Sequence, residues 1–417
     1  MPERVTFIHA ADLHLDAPFQ GVEAADERVN GALVEATYEA WDRVVETALD
    51  RKVDFVVVAG DAYNSRDKSL RAQLRFHASL RRLADAGIPV FIAQGNHDPA
   101  SGWSAELELP EGVAYFPTDR VGRFEVTVDG EFACAVYGRG YGKAAETSNL
   151  ARSFERSAED PLAVGVLHAN VGGNTDHEPY APCSVDDLRA SGMDYWALGH
   201  IHKPGTLATD PVIAYSGSPQ GLNPKEDGAH GCLFVELTEA GARTEFVETA
   251  SVLWHRGVVD VADCDDISAV RLALVDACGP LREQADRPVI ARFELVGRTQ
   301  ARALLARPGV LPQLVDDVRA EQLGESPWLW IDRVRDLTRA PIDLDQVRKG
   351  ADFAADLENV ADGLAANEDD TRRLIDELAG QLSATLGGYA PAEEPAALLV
   401  RARDICLDLL LAGEDEG

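Results

Sequence analysis

Lysine is scarce in this chain: six of 417 residues carry it, and Lys and Arg together number 39 against 71 Asp and Glu. The formal net charge is therefore −32, spread along the chain rather than gathered in one acidic block. Such a surface fits salt adaptation and argues against a protein that grips nucleic acid by bulk electrostatics. Cysteine is also sparse. The six (Cys134, Cys183, Cys232, Cys264, Cys278, Cys406) are far apart, with no C-x-x-C pair, which excludes a zinc ribbon or a disulfide scaffold and leaves reduced thiols. Long apolar runs are missing too: none approaches the roughly 18 residues of a membrane span, and no apolar leader follows Arg4. The expectation is a soluble cytoplasmic protein with no membrane contact. With 46% hydrophobic and 26% charged residues the composition is globular, and the length predicts two or three domains.

Short apolar runs recur through the first 240 residues: Val5 to Ala10, Phe55 to Ala59, Pro89 to Ala93, Ala163 to Leu167, Tyr195 to Leu198 and Cys232 to Val235. Runs of this length read as strands buried on both faces, while Val29 to Leu49 and Leu70 to Ala86 read as helices. Residues 1–255 are thus expected to form a layered α/β domain. In 256–340, strands are expected at Gly257 to Val261, Val289 to Val296 and Pro327 to Val334, with helices at Ile267 to Cys278 and Gln300 to Leu305, a small α+β cap. Residues 341–417 turn to Ala, Leu, Asp and Glu and predict helices, broken at Gly387-Gly388 and between Pro391 and Pro395.

Chemistry-bearing residues follow the apolar runs. The first ends in Asp12-Leu13-His14, the second in Gly60-Asp61, the third in Gly95-Asn96-His97-Asp98, the next in His168, and the fifth in Gly199-His200-Ile201-His202. One histidine after a strand is usually a turn residue. Five clusters of ligand-capable side chains at equivalent strand ends, where α/β sheets assemble sites, are hard to produce by core packing alone. Residues two apart on extended backbone share a side, which pairs Asp12 with His14 and His200 with His202. Carboxylate, amide and imidazole together suit Mn²⁺, Fe²⁺ or Zn²⁺ rather than Ca²⁺ or structural zinc. Seven ligands exceed one ion and fit two, bridged by a carboxylate.

These five motifs, in this order, resemble the calcineurin-like metallophosphoesterases, a layered αββα fold. The stretch Ala10 to Phe19, with Gly60-Asp61-Ala62 and Tyr195 to His202, more narrowly resembles the DNA repair exonuclease branch of SbcD and YhaO type. The resemblance covers about residues 1–240. It implies that Asp12, His14 and His202 hold one metal, that Asn96, His168 and His200 hold the other, and that Asp61 bridges them. A hydroxide between two ions, most simply Mn²⁺, would attack the phosphodiester, His97 would act as general acid, and Asp98 would support it. The implied partners are DNA and an SbcC-type coiled-coil ATPase, with a homodimer as a further option. The expected role is exonuclease or endonuclease in break repair or end processing; the alternative is a phosphoesterase for a small nucleotide or a phosphoprotein. Where relatives carry a His three residues after the bridging Asp, this sequence has Asn64.

Other residues carry less. Arg66, Arg71 and Arg75 lie in a basic window, Ala62 to Arg82, and form either a solvated helix face or a phosphate-contacting patch. His9 is expected as a satisfied core histidine, His177 and His230 as surface residues, and Trp328 with Trp330 as core packing rather than base stacking. Asn170, Ser216 and Ser218 are loop residues able to position a phosphate. In the tail, Leu398, Ala402, Ile405 and Leu409 recur at helical spacing, with Leu399, Cys406 and Leu410 widening the stripe, for docking on this chain or on a partner helix.

Overall fold

The computed structural model describes residues 4–22, 26–64, 69–102, 105, 107–173, 178–386 and 394–411. Its strands up to residue 250 are β1 (Val5–Ala10), β2 (Phe55–Ala59), β3 (Val90–Ala93), β4 (Val113–Tyr115), β5 (Gly122–Val128), β6 (Glu131–Arg139), β7 (Ala163–His168), β8 (Tyr195–Gly199), β9 (Gly205–Thr209), β10 (Val212–Tyr215), β11 (Gly231–Thr238) and β12 (Gly241–Glu248). They form two six-stranded sheets, ordered β12-β11-β1-β2-β3-β4 and β5-β6-β7-β8-β10-β9. The centre of each is parallel: β1 to β4 in one, β6, β7, β8 and β10 in the other.

Three apolar layers explain why the strand sequences are nearly unbroken hydrophobic runs. Phe7, Val57 and Phe91 face Val164, Val166 and Tyr195 between the sheets. On the outer face of the first sheet, Ile8, Val56, Val58 and Ile92 meet Trp41, Val45, Phe76 and Leu80 from helices α1 (Glu27–Arg51) and α2 (Leu70–Asp85). On the outer face of the second, Leu167, Trp196 and Ile213 meet Leu188 of α3 (Val185–Arg189). The architecture is the expected αββα layering. Caps mark the helix starts: the Asp26 carboxylate accepts from Arg28 N–H, and Ser69 Oγ from Ala72 N–H.

After residue 250 come β13 (Leu253–Asp260), α4 (Ile267–Ala285), β14 (Val289–Val296), α5 (Arg302–Leu305), α6 (Val310–Leu323) and β15 (Leu329–Asp336). All three strands are parallel, with β14 central, so strand and helix alternate as crossover units. α4 runs on through Gly279-Pro280, past the expected end at Cys278, and α6 was not expected. Trp254, Trp328 and Trp330 are buried with Val29, Leu33 and Ile290, the packing role expected of the pair.

The chain divides into two compact units, one holding the chain up to Asp260, Ile267–Val296 and Leu304–Leu337, the other Val261–Asp266, Gly297–Ala303 and Thr338 onward. The second contains α7 (Leu344–Lys349), α8 (Phe353–Ala365), α9 (Glu368–Leu386) and α10 (Pro395–Leu411). Within it, α10 buries Leu399 and Leu407 and is tied down by Arg298 to Asp404 and Asp408 and by Arg339 to Asp408. Of the expected stripe, Leu399 packs inward, whereas Ile405 is 39% and Leu409 74% exposed. No described helix is long and apolar enough to cross a membrane.

Candidate metal centre

The segments after β1 and β2 run side by side. Asp12 N–H donates to Gly60 O at 3.0 Å, His14 N–H to Asp61 O at 3.0 Å and Leu15 N–H to Ala62 O at 3.1 Å, so Asp12, His14 and Asp61 travel together. The pairing of Asp12 with His14 does not come from an extended pleat, as the spacing suggested. Asp12 (φ 52°), His14 (φ 43°), Asp61 (φ 51°) and His200 (φ 101°) all adopt left-handed backbone. Each such residue costs about 1–3 kcal/mol and persists only where its surroundings over-determine it. Tight turns, not strand periodicity, aim these side chains. Gly60 (φ 99°) and Gly95 are required by contact: a Cβ on Gly60 would run into the His168 ring, and one on Gly95 into the Asp61 carboxylate.

The site is deep: Asp12, His14, Asp61 and His168 are each at most 2% exposed. Two groups of ligand atoms gather within 4.8 Å, Asp12 with His14 and His202, and Asp12 with Asp61 and His168. Asn96 joins the second, its Oδ1 2.9 Å from His168 Nε2, while Asp61 Oδ2 lies 3.3 Å from the same nitrogen. His168 Nδ1–H donates to Ala59 O at 3.0 Å, which directs Nε2 inward. In the first group His14 Nε2 and His202 Nε2 face each other at 3.0 Å, and His14 Nδ1 is buried without a hydrogen-bond partner. His200 is less central: its main-chain N–H donates to both Asp12 oxygens at 3.1 and 3.0 Å, and its Nε2–H to Glu178 O at 2.9 Å.

The electrostatics are those of a buried site short of positive charge. Burial opposes charge on His168, yet Asp61 and Asp12 raise its pKa to about 9; on the half-buried His202 loss of solvent again opposes charge, and Glu226 and Asp12 raise it to about 9. Burial resists ionisation of Asp61, but the His168, His14 and His97 rings hold its carboxyl well below the usual range. Asp12 is raised, by burial first. Burial, then the His202 ring, lowers His14 to about 3. Acceptor atoms crowd together here with an orphaned imidazole nitrogen, a donor set of carboxylate, amide and imidazole that a divalent cation satisfies.

His97 is exposed at the rim. Its N–H donates to Asp61 Oδ1 at 2.9 Å and its Nδ1–H to Asn64 O at 3.0 Å, leaving Nε2 the outward nitrogen. Asn64 thus contributes through its carbonyl. Asp98 is 1% exposed and accepts from Ala62 N–H at 3.0 Å and Gly95 N–H at 2.8 Å, which clasps the ends of β2 and β3. His9 is the expected core histidine, bonded to Tyr195 OH and Leu198 O.

Three arginines of the basic window are matched by acids. Arg71 and Arg75 both pair with Glu35 and lie over the Tyr38 ring, Arg82 pairs with Glu46, and Arg66 lies outside the described residues, as does His177. A cluster of arginines that sequence reasoning missed lies on the β13-β14-β15 sheet, where Arg256, Arg292 and Arg333 stand in one cross-strand row. With Lys225 and Arg335 they line a cleft of about 470 Å³. Arg292 bonds the buried Asp332, and Arg335 lies 3.7 Å from Glu294. Register, invisible before the sheet is known, builds the row. Sequence reasoning also missed Glu226 and misplaced His230, which is not a surface residue but buried, its Nδ1 2.9 Å from Ser218 Oγ.

Residues 5–204 match the calcineurin-like phosphoesterase family, and residues 254–339 match the middle domain of metallophosphoesterase YhaO. The chain belongs to the calcineurin-like metallophosphoesterases, metal-dependent phosphoester hydrolases that bind two divalent ions. It is 34% identical over 335 residues to the uncharacterized metallophosphoesterase YhaO of Bacillus subtilis, covering 80% of this chain and 82% of that one. It is 30% identical to the DNA double-strand break repair protein Mre11 of Aeropyrum pernix, over 61% of this chain and 64% of that protein. With the SbcD polypeptide of the nuclease SbcCD of Bacillus subtilis it shares 26% identity, over 53% of this chain and 63% of that one.

Proposed function

We propose that the chain is a DNA phosphodiesterase, the nuclease subunit of a break-repair or end-processing complex with a coiled-coil ATPase of SbcC type. In this reading Asp12, His14 and His202 hold one divalent ion, Asn96, His168 and His200 the second, and Asp61 is shared. The ions, which the donor set allows to be Mn²⁺, Fe²⁺ or Zn²⁺ and which we take as Mn²⁺, would supply Lewis acidity and a nucleophile at neutral pH. The chain's own residues do the rest. His97, oriented through Asn64 O, presents Nε2 to protonate the leaving 3′ oxygen, and Asp98 keeps the two motif turns in register. The exposed face of α10 is the surface offered to the partner helix. Residues 1–255, 256–340 and 341–417 would serve as nuclease, cap and partner-binding parts.

The observation that carries the DNA reading is the arginine-lined cleft, a local excess of positive charge on a chain of net charge −32. The acidity of the remaining surface is what favours the second reading, a small nucleotide or phosphoprotein as substrate. Reversing Arg256 and Arg333 together (Arg256→Glu, Arg333→Glu) separates the two. DNA cleavage should fall at least about tenfold, and the salt dependence of DNA binding should flatten by about 0.9 log unit for each phosphate no longer neutralised. A small aryl phosphodiester should be hydrolysed as before. Equal rates on DNA with and without the substitutions would move the assignment to the small substrate.

A further inference from the structure

Glu226 sits on a tight turn that the Asn223 side chain builds. Lys225 N–H donates to Asn223 Oδ1 at 3.0 Å and Glu226 N–H to Asn223 O at 2.9 Å, an Asx-type reversal. The turn returns the Glu226 carboxylate toward the segment that precedes it. There Oε2 accepts from Leu222 N–H at 2.7 Å, and Oε1 accepts from Asn223 Nδ2 at 2.7 Å and from His202 Nδ1–H at 2.9 Å. The turn is also held from behind: the buried His230 donates from Nε2 to Glu226 O at 3.1 Å. A carboxylate so fully bonded has one orientation.

We propose that Glu226 is the positioning residue for one of the two metals: it locks His202 so that Nδ1 keeps its proton and Nε2 faces Asp12 and His14. The inference rests on the two-metal reading and adds an asymmetry to it. On the other side His168 is oriented by a neutral main-chain carbonyl, Ala59 O. A carboxylate raises the basicity of its imidazole more than a carbonyl does, and partners of this kind typically contribute about 10–100-fold to metal affinity. Glu226 therefore acts on the ion of Asp12, His14 and His202 and leaves the ion of Asn96 and His168 alone. It touches neither substrate nor metal.

The test uses the full chain and Glu226→Gln, which keeps the size of the side chain in the turn and removes the negative charge that holds the His202 Nδ1 proton. Mn²⁺ titration of the wild type should show two ions per chain. In Glu226→Gln one should bind about 10–100-fold more weakly and the other within about twofold. Asn223→Ala, which keeps the carboxylate and removes a donor to it, should weaken the same ion by a few-fold. In Zn²⁺-loaded protein, nitrogen-15 NMR should show a slowly exchanging His202 Nδ1 proton that Glu226→Gln loses. Two ions bound by the variant as by wild type, with the Nδ1 proton retained, would overturn the role of Glu226. Equal weakening of both ions would also overturn it, in favour of a general structural role. A wild type that takes up no ion would instead overturn the two-metal reading on which the inference rests.

Discussion

Three glycines separate backbone strain from crowding at the metal centre. Gly31 lies on the exposed face of helix α1 with open space at its Cβ position, so Gly31→Ala should stabilise the protein by about 0.5–1 kcal/mol. Gly87 has φ 76° and the same open space. An alanine there meets only the left-handed penalty and should cost about 1–2 kcal/mol. Gly60 has φ 99°, and its Cβ would overlap Nδ1, Cγ and Cβ of His168. Gly60→Ala therefore adds to the backbone penalty an overpacking cost of about 1–3 kcal/mol. Pushing the ring aside also forfeits the bond from His168 Nδ1–H to Ala59 O, about 1 kcal/mol. These overlap, and a net loss of about 3 kcal/mol is expected, with weaker Mn²⁺ binding. Urea unfolding of metal-free wild type and the three variants gives the order Gly31→Ala above wild type, Gly87→Ala below it, Gly60→Ala lowest. If Gly60→Ala matched Gly87→Ala in stability and wild type in Mn²⁺ affinity, the close approach of β2's end to His168 would be refuted.

Acid should destabilise the protein through His9, which is fully buried and whose pKa burial lowers to about 3. The unfolded chain takes up this proton near pH 6.5 and the folded chain does not, so stability is complete above 6.5 and falls as pH drops toward 3. Between about pH 7 and 5 the loss is about 2 kcal/mol, and His9→Gln should show a correspondingly flatter stability profile by urea unfolding over that window. His97→Ala should leave stability within about 0.5 kcal/mol, because the side chain is exposed, yet slow DNA hydrolysis by about 10²–10⁴-fold. With an activated aryl diester, whose leaving group needs no proton, the same variant should retain nearly full rate; equal losses on both substrates would remove His97 as the acid.

Much of the fold was legible because its central strands are buried on both faces and so read as short unbroken apolar runs. β1, β2 and β14 fall on their expected bounds, and β7, β8 and α2 come within a residue. The edge of each sheet was not legible. β5 and β12 alternate or expose their residues and carry no apolar run. The β5–β6 hairpin did leave a signal, Asp129-Gly130 between alternating residues, and both adopt the positive φ (52° and 80°) of a two-residue hairpin turn. The metal-capable residues were visible because each follows a strand. Their supporting contacts were not. Glu226 reaches His202 across 24 residues, and the arginine row exists only once β13, β14 and β15 lie in register. In α10 the apolar stripe splits between an inward side at Leu399 and an exposed side at Ile405 and Leu409. Leu399 and Leu407, with Arg403 between them, point inward, since Asp404 and Asp408 are drawn to Arg298 and set the rotation of the helix.

The central claim is a metal-dependent nuclease built from five strand ends, and end-labelled DNA tests it most directly. Purified chain should degrade single- or double-stranded DNA with Mn²⁺ and not with chelator, and Asp61→Asn, which replaces by an amide the carboxylate proposed to be shared, should abolish the activity while the fold persists. Mn²⁺-independent cleavage, or cleavage undiminished in Asp61→Asn, would contradict the account.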